Sequence, residues 1–279
     1  MNIDGIAAVT GAGAGLGLGI TKALAQRGFD VLALVYEESH AEAVENAVVD
    51  AAGGARVHVL DVTRLDGFTL PDDLQVLVNN AGVRLSSRPI EAIDAAEWRR
   101  TMDVNFFGLV DLTRLALPIM RTARRGVICN VSSGSLFAPT PFLGAYRASK
   151  AAISAFSETL RIEVAQFGIR VVEIMPGAMR TGMNVNSILN KIADTSACPA
   201  YLPMAQAQRA MFEAIEVPHA TVDEAGRWVA DAILDDTGPQ RYGSDPHSQR
   251  SLERWRTTSD EVIAGEVLAT YAGVVRSEP

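Results

Sequence analysis

Short apolar, often β-branched runs alternate along the chain with longer stretches whose apolar residues recur every three or four positions. The short runs are apolar throughout, which is typical of parallel strands buried on both faces, and each is followed by a helical pattern. The runs predict six strands, at Ile6–Thr10, Val31–Tyr36, Val57–Leu60, Val76–Asn79, Gly126–Ser132 and Arg170–Met175. Strands that alternate with helices in this way predict a doubly wound, mostly parallel α/β sheet of the Rossmann type.

The helical stretches have recognisable ends. Gly28 and Gly53-Gly54 terminate the first two, and Thr221 with Glu224 three residues later forms a capping box. The predicted helices are Gly15–Arg27, Glu37–Ala52, Asp94–Arg121, Tyr146–Phe167 and Thr221–Leu234. We expect residues 1–279 to form a single domain, with 182–220 as a lid over the substrate and 245–279 as a C-terminal extension.

Composition narrows the class of protein. A net charge of −8 over 279 residues disfavours binding to nucleic acid. The two cysteines do not suggest a disulfide framework. No basic leader and no long apolar segment are visible, so we expect no signal peptide, no membrane span and a cytoplasmic protein. We also expect no bound metal ion.

A glycine-rich loop joins the first strand to the first helix. Glycine permits a tight turn and lets the backbone approach a pyrophosphate at the helix N-terminus. The spacing is G-x-x-x-G-x-G rather than G-x-G-x-x-G, and a flexible turn is the alternative interpretation. The candidate cofactor-binding residues here are Gly11, Gly13, Gly15, Leu16 and Gly17.

In folds of this type, a residue near the end of the second strand determines whether NAD or NADP binds. An acid there binds the ribose 2′-hydroxyl of NAD, and a basic residue accommodates the 2′-phosphate of NADP. Val35 occupies the expected acid position, and Tyr36-Glu37 follow without a basic residue. Glu37 could reach the ribose or could be a solvated acid at a helix start. The predicted cofactor is thus NAD(P), and the absence of a basic residue at this position favours NAD over NADP.

Tyr146 and Lys150 lie one helical turn apart, so they share a helix face. A neighbouring ammonium favours the phenolate, which allows the phenol to act as acid or base near neutral pH. Ser133, at the end of the fifth strand, could hold a substrate oxygen. Each of these residues alone could have a purely structural role. An active site is indicated by their order along the chain, in which the glycine loop is followed by Ser133 and then by Tyr146 and Lys150.

This set of motifs resembles the short-chain dehydrogenase/reductase family. The resemblance rests on the glycine loop, Asn79-Asn80-Ala81-Gly82, Asn105, Ser133, Tyr146-x-x-x-Lys150, and Pro176-Gly177 with Thr181. It implies a catalytic tetrad of Asn105, Ser133, Tyr146 and Lys150, with Asn105 supporting a water that relays protons from Lys150. It also implies that Lys150 binds the nicotinamide ribose. The other cofactor-binding residues that it implies are Asp61, Val62, Asn79, Ala81, Gly82, Tyr146, Pro176, Gly177 and Thr181.

The substrate side is less regular. The apolar residues after Gly177 could form a mobile lid over a lipophilic pocket or could be ordinary helix packing. We expect Ser133, Phe142, Tyr146 and Met183 to meet the substrate, which would be a hydrophobic secondary alcohol or ketone. The long C-terminal segment is similar to those of steroid and retinol dehydrogenases. Arg84 and Arg88 could meet an acidic group or could be solvated surface residues.

Two other functions are compatible with a dinucleotide fold: a non-catalytic dinucleotide sensor, and a nucleotide-sugar epimerase or dehydratase. The intact Asn105-Ser133-Tyr146-Lys150 set disfavours the sensor, and the glycine spacing disfavours the epimerase. The resemblance further implies a homodimer or homotetramer that pairs through the helices Asp94–Arg121 and Tyr146–Phe167.

Overall fold

The structure is a computed structural model that describes residues 5–177, 179, 198–214 and 220–272, with only the backbone of 212–214. Thr181 and Met183 lie outside the described residues, as does most of the expected lid at 182–220. The division of the chain into a domain, a lid and an extension therefore stays a prediction.

Within the described residues, seven parallel strands form one sheet in the order β3-β2-β1-β4-β5-β6-β7. The strands are β1 (Ile6–Thr10), β2 (Asp30–Val35), β3 (Ala55–Val59), β4 (Leu74–Asn79), β5 (Gly126–Val131), β6 (Ile169–Ile174) and β7 (Arg241–Tyr242). Strand order reverses at β1, because β2 lies on one side of it and β4 on the other. In open parallel sheets, ligands bind at the carboxyl ends of the strands beside such a reversal.

Helices cover both faces of the sheet. They are α1 (Gly15–Gln26), α2 (Ala41–Val48), α3 (Ala95–Met102), α4 (Gly108–Ala123), α5 (Gly144–Ala165), α6 (Leu202–Ala214), α7 (Val222–Leu234), α8 (Pro246–Thr257) and α9 (Asp260–Thr270). Successive residues of β1 enter opposite cores: Ala7 packs with α1 and α7, and Ala8 packs with α4 and α5. The strands are apolar throughout because both of their faces are buried, and the predicted fold class is confirmed.

Some predicted boundaries were wrong. The second predicted helix is shorter, because a 3₁₀ turn at Glu38–His40 precedes α2. Asp94 caps the long helix through the backbone N–H of Glu97 (2.7 Å), as its predicted start requires. That helix then widens into a π-helical segment at Asp103–Phe107 before it continues as α4. The capping box of Thr221 and Glu224 is present.

β7 was not predicted from the sequence. It is two residues long and extends the sheet beside β6, with Arg241 opposite Glu173. A strand of that length has no detectable period, so the pattern of apolar residues could not reveal it. Among the described helices, none has the length and apolar character needed to cross a bilayer.

Candidate active site

A cavity of about 770 Å³ opens at the carboxyl ends of the strands, where the strand order reverses. Its volume falls within the range of small-molecule and cofactor sites. Twelve of the residues proposed from the sequence line it: Gly11, Gly13, Gly15, Leu16, Tyr36, Ala81, Gly82, Ser133, Tyr146, Lys150, Pro176 and Gly177. The structure therefore brings the glycine loop and the tyrosine-lysine pair together on one surface.

The glycine loop is held close to the end of β4. The Thr10 hydroxyl accepts hydrogen bonds from the backbone N–H groups of Asn80 and Ala81, both at 2.9 Å. The Asn80 amide donates to the Thr10 carbonyl at 2.9 Å. Gly11 has a φ of +62°, and a Cβ added there would lie 3.1 Å from the Ala81 Cα. Only glycine fits this turn without strain.

Gly17 lies under the loop rather than on the cavity. A Cβ on Gly17 would come within 2.1 Å of the Gly11 carbonyl oxygen and 2.5 Å of the Asn80 Nδ2. The first turn of α1 contains no acidic residue, so its N-terminus keeps its positive potential. Both features fit a pyrophosphate group above the loop.

Lys150 is buried, with 4% of its surface exposed, and its Nζ donates to the Val131 carbonyl at 2.9 Å. Burial lowers the pKa of Lys150 to about 8. Its Nζ lies 5.8 Å from the centroid of the Tyr146 ring. The expected face sharing of these two residues on α5 is thus present in the structure.

Burial raises the pKa of Tyr146, and two neighbours oppose that effect. A hydrogen bond with Ser133 lowers the pKa, as does the positive charge of Arg84. Ser133 lies two residues after the end of β5, and its Oγ also accepts from the Ser135 backbone N–H at 3.1 Å. Ser133 and Tyr146 together present two hydroxyls to the cavity.

Asn105 is fully buried and lies in the π-helical segment. Short π-helical segments occur frequently at functional sites. The Asn105 side chain accepts from the Val83 N–H at 2.7 Å and donates to the Ser149 Oγ at 2.9 Å. A Cβ on Gly82 would lie 3.3 Å from the Asn105 Oδ1 and 3.4 Å from the Lys150 Nζ. Asn105 therefore lies next to the lysine although it does not line the cavity.

Several proposed cofactor residues lie away from the cavity lining. Asn79 is buried in the sheet, where its Nδ2 donates to Thr113 Oγ1 (3.1 Å) and Asn130 Oδ1 (2.9 Å). Its expected place on the cleft is taken by Asn80. Glu37 accepts a hydrogen bond from Ser39 at 3.2 Å and does not reach the lining.

Asp61 and Val62 also lie off the cavity lining. The Asp61 carboxylate accepts from the Thr63 hydroxyl at 2.7 Å and lies 3.9 Å from Arg100. Val62 packs against Gly108, where an added Cβ would meet its side chain at 2.9 Å. Phe142 stacks edge-on against Tyr201, with ring centroids 6.4 Å apart, and borders a small cavity next to Tyr146.

Some of the residues that line the cavity were missed in the sequence, and another one was interpreted differently. Asn80 stands in the motif that the sequence did identify, whereas His40 gave no signal. Arg84 faces the cavity, with its Cζ 5.8 Å from the centroid of the Tyr146 ring. The interpretation of Arg84 as a solvated surface arginine was therefore wrong.

Helix α8, which precedes α9 in the chain, closes one side of the cavity, which the sequence did not indicate. Its Trp255 lies against Phe137 at a centroid distance of 6.0 Å. The guanidinium of Arg241 lies 5.5 Å from the Trp255 ring centroid, and its Nε donates to the buried Glu173 at 2.8 Å. This chain of contacts fixes the helix against the sheet. It makes part of the cavity wall aromatic.

The N-terminus of α8 meets the loop that follows β6. The Asp245 carboxylate caps the helix by accepting from the Ser248 N–H at 2.9 Å, and the Ser248 hydroxyl donates back to it at 2.7 Å. A Cβ on Gly177 would lie 3.1 Å from the Ser248 Cβ. Gly177 is therefore packed directly on this cap, which positions the Pro176-Gly177 loop.

Comparison with known proteins agrees with this geometry. The profile of the family described as short chain dehydrogenase matches residues 5–191. The chain therefore belongs to the short-chain dehydrogenase family. It is 34% identical over 191 residues to "Retinol dehydrogenase 16" of Mus musculus, covering 65% of this chain and 59% of that protein.

Two further relatives extend the comparison. The chain is 37% identical over 196 residues to "11-beta-hydroxysteroid dehydrogenase A" of Sesamum indicum, covering 66% of this chain and 55% of that protein. It thus spans less than two thirds of the length of either curated relative. A crystal structure of a short chain dehydrogenase from Burkholderia cenocepacia J2315 in complex with NADP is 25% identical, with a TM-score of 0.70 and 99% of each chain covered.

Proposed function

We propose that the chain is an NAD(P)-dependent oxidoreductase that interconverts a secondary alcohol and a ketone, with Tyr146 as the proton donor and acceptor. The observation that carries the proposal is the position of the Tyr146 phenol. It lies beside Ser133 and Lys150, in a cavity that continues to the glycine loop. A dinucleotide on that loop would extend toward the tyrosine.

The glycine loop fits the pyrophosphate of such a cofactor. Gly11, Gly13 and Gly15 line the cavity at the N-terminus of α1, where backbone N–H groups and the helix dipole favour an anion. When bound, the nicotinamide supplies or accepts the hydride at the carbon that bears the substrate oxygen. The Pro176-Gly177 loop, held by α8, borders the same end of the cavity as Tyr146.

The proton chemistry follows from the side chains of the chain itself. In reduction, the Tyr146 O–H donates its proton to the carbonyl oxygen and becomes a phenolate. In oxidation, the phenolate accepts the hydroxyl proton of the alcohol. The Ser133 hydroxyl holds the reacting oxygen in either direction. Lys150 favours the phenolate by its positive charge and can return a proton to it. We propose that Asn105, which lies next to Lys150, supports this transfer of protons.

The choice between NAD and NADP rests on the far end of the cavity. Tyr36 and His40 line it there, and Val35 is buried beneath. On the lining at this end, the described residues include no lysine or arginine to pair with a 2′-phosphate. We therefore propose a preference for NAD, although family membership alone does not select it, since the Burkholderia relative binds NADP.

We propose a lipophilic substrate. Apolar side chains line the cavity that contains Tyr146, among them Phe137, Ala138, Leu143, Met179 and Trp255. The relatives named for retinol and for an 11-beta-hydroxysteroid act on molecules of that character. Phe142 and Tyr201 extend the apolar surface outside this cavity.

We also propose that the protein forms a homodimer or homotetramer through α4 and α5. Large apolar side chains are exposed on both helices, at Phe107 beside α4, Leu115 on α4 and Ile162 on α5. Apolar surface of this kind is common at protein interfaces. Light scattering coupled to gel filtration measures the assembly. Ile162→Glu should shift it toward the monomer, and Val262→Glu on α9 is the control for an exposed apolar residue elsewhere.

The first experiment measures dissociation constants for NADH and NADPH by fluorescence titration, with Tyr146→Phe in parallel. The wild type should bind one of them, and the variant should bind it with the same affinity because Tyr146 acts on the substrate. Oxidation of cyclohexanol and of a hydroxysteroid should be detectable for the wild type alone. Absence of binding to both cofactors would refute the proposal.

A further inference from the structure

Two cations flank the ring of Tyr146 at the same distance from its centroid. The Lys150 Nζ lies 5.8 Å away on α5. The Arg84 Cζ also lies 5.8 Å away, on the segment that follows β4. Both side chains line the cavity together with Tyr146. The phenol therefore lies in the field of two positive charges from different parts of the chain.

The two cations differ in the pH range over which they stay charged. Burial lowers the pKa of Lys150 to about 8, so its charge is lost within the weakly alkaline range. Burial also lowers the pKa of Arg84, while the Tyr146 phenol opposes that effect. A guanidinium starts from so high a value that it remains protonated in proteins. Above about pH 8, Arg84 is the cation that persists beside the phenol.

We propose that Arg84 is a positioning residue that acts on Tyr146 through its charge and favours the phenolate, from a position 5.8 Å from the ring centroid on the same cavity. The inference rests on the proposed acid–base role of Tyr146 and deepens it. It requires no contact between Arg84 and the substrate, because a charge at this distance acts through the field in a partly desolvated cavity.

Other charged or titratable groups face this part of the structure. From α3, Glu97 borders the small cavity that Arg84 and Tyr146 share, and it accepts a hydrogen bond from Ser86. Among the described residues, the other titratable groups on the larger cavity are Lys150 on α5, His247 and Arg254 on α8, and, at its far end, Tyr36 and His40. Arg147 on α5 donates to the carbonyl of Ser135, which lines the same cavity. All of them are retained when Arg84 alone is replaced, so a comparison of variants isolates its effect.

The sign of the effect is fixed by electrostatics. A cation favours the phenolate, so removing Arg84 should raise the pKa of Tyr146. Oxidation needs the phenolate, and its rate should then begin to rise only at higher pH. Reduction needs the phenol, and its rate should then persist to higher pH. Both limbs should move upward by about 1 pH unit, the order expected for charges about 6 Å apart at an intermediate dielectric.

The kinetic test uses Arg84→Gln and Arg84→Met, with Arg84→Lys to restore a charge and Arg88→Gln as a control in the same segment. The values of kcat/KM for cyclohexanol oxidation and cyclohexanone reduction are measured against pH. Loss of Arg84 should move both limbs upward, Arg84→Lys should return them toward the wild type, and Arg88→Gln should leave them in place. A uniform fall in rate with unmoved limbs would overturn the proposal.

A second readout needs no turnover. The near-ultraviolet absorbance of tyrosinate is titrated for the wild type and for Tyr146→Phe, and the difference gives the midpoint of Tyr146. The same pair is then made in the Arg84→Met background, with circular dichroism as the check of folding. An unchanged Tyr146 midpoint refutes the role of Arg84. If the wild type shows no turnover, the proposed reaction fails, while this titration still decides the inference.

Discussion

Replacing Lys150 with methionine should make the protein more stable at neutral pH while abolishing its proposed activity. The structure buries this ammonium, with 4% of its surface exposed, and lowers its pKa from 10.5 to about 8. That difference corresponds to about 3 kcal/mol of destabilisation while the side chain is charged. Methionine has a similar length and carries no charge, although the Val131 carbonyl loses its donor.

The pH dependence separates the charge from the packing. Because the folded-state pKa is lower than the unfolded one, the penalty is complete below about pH 8. It is relieved as the pH rises from about 8 toward 10.5. Between pH 7 and pH 9.5 the wild type should gain about 2 kcal/mol of stability relative to Lys150→Met. The lost hydrogen bond contributes equally at both pH values.

Urea unfolding at the two pH values measures this change. Both proteins carry Tyr146→Phe, so that the buried phenol does not titrate. Lys22→Met is the matched control, because Lys22 is part-exposed and paired with Asp223 at 2.6 Å. If the stability difference between Lys150→Met and its parent stays constant from pH 7 to pH 9.5, then Lys150 is not buried as a charged group and the argument fails.

Three further predictions concern the glycine loop, the strand-end serine and a helix cap. Gly17→Ala should weaken NADH binding at least about tenfold, because its Cβ would lie 2.1 Å from the Gly11 carbonyl oxygen; titration with unchanged circular dichroism checks it. Ser133→Ala should lower kcat/KM about 100-fold with the cofactor dissociation constant unchanged; an equal loss in cofactor binding would contradict its proposed role. Thr221→Ala should cost about 1 kcal/mol in urea unfolding without loss of activity, because it breaks the capping box with Glu224.

The sequence predicted the parts of this molecule that follow local rules. The apolar strands, the glycine turn and the i, i+4 spacing of Tyr146 and Lys150 each depend on residues close together in the chain. The π-helical segment around Asn105 differs from an α-helix by one residue in its hydrogen bonding, and no periodic pattern resolves that difference.

Residues whose role depends on distant contacts were harder to place. Asn79 and Asn80 are adjacent in one motif, yet the alternation of a strand directs the first into the sheet and leaves the second at the cleft. Arg84 is an ordinary surface residue by sequence, and only the packing of its segment beside α5 turns it toward Tyr146. Trp255 of α8 lines the cavity through its contact with Phe137, which is distant in the chain, so no local pattern of residues could indicate it.

The anchoring of α8 by Arg241 and Glu173 has a consequence for how this protein could diversify. The family match ends at residue 191, whereas Trp255 contributes its part of the cavity wall from well beyond that point. The residues that we propose to bind the dinucleotide and the helix that forms this part of the wall thus occupy separate stretches of the chain. Exchanging 246–272 between relatives that keep the Arg241–Glu173 pair offers a route to new substrates with the proposed proton-transfer groups left intact.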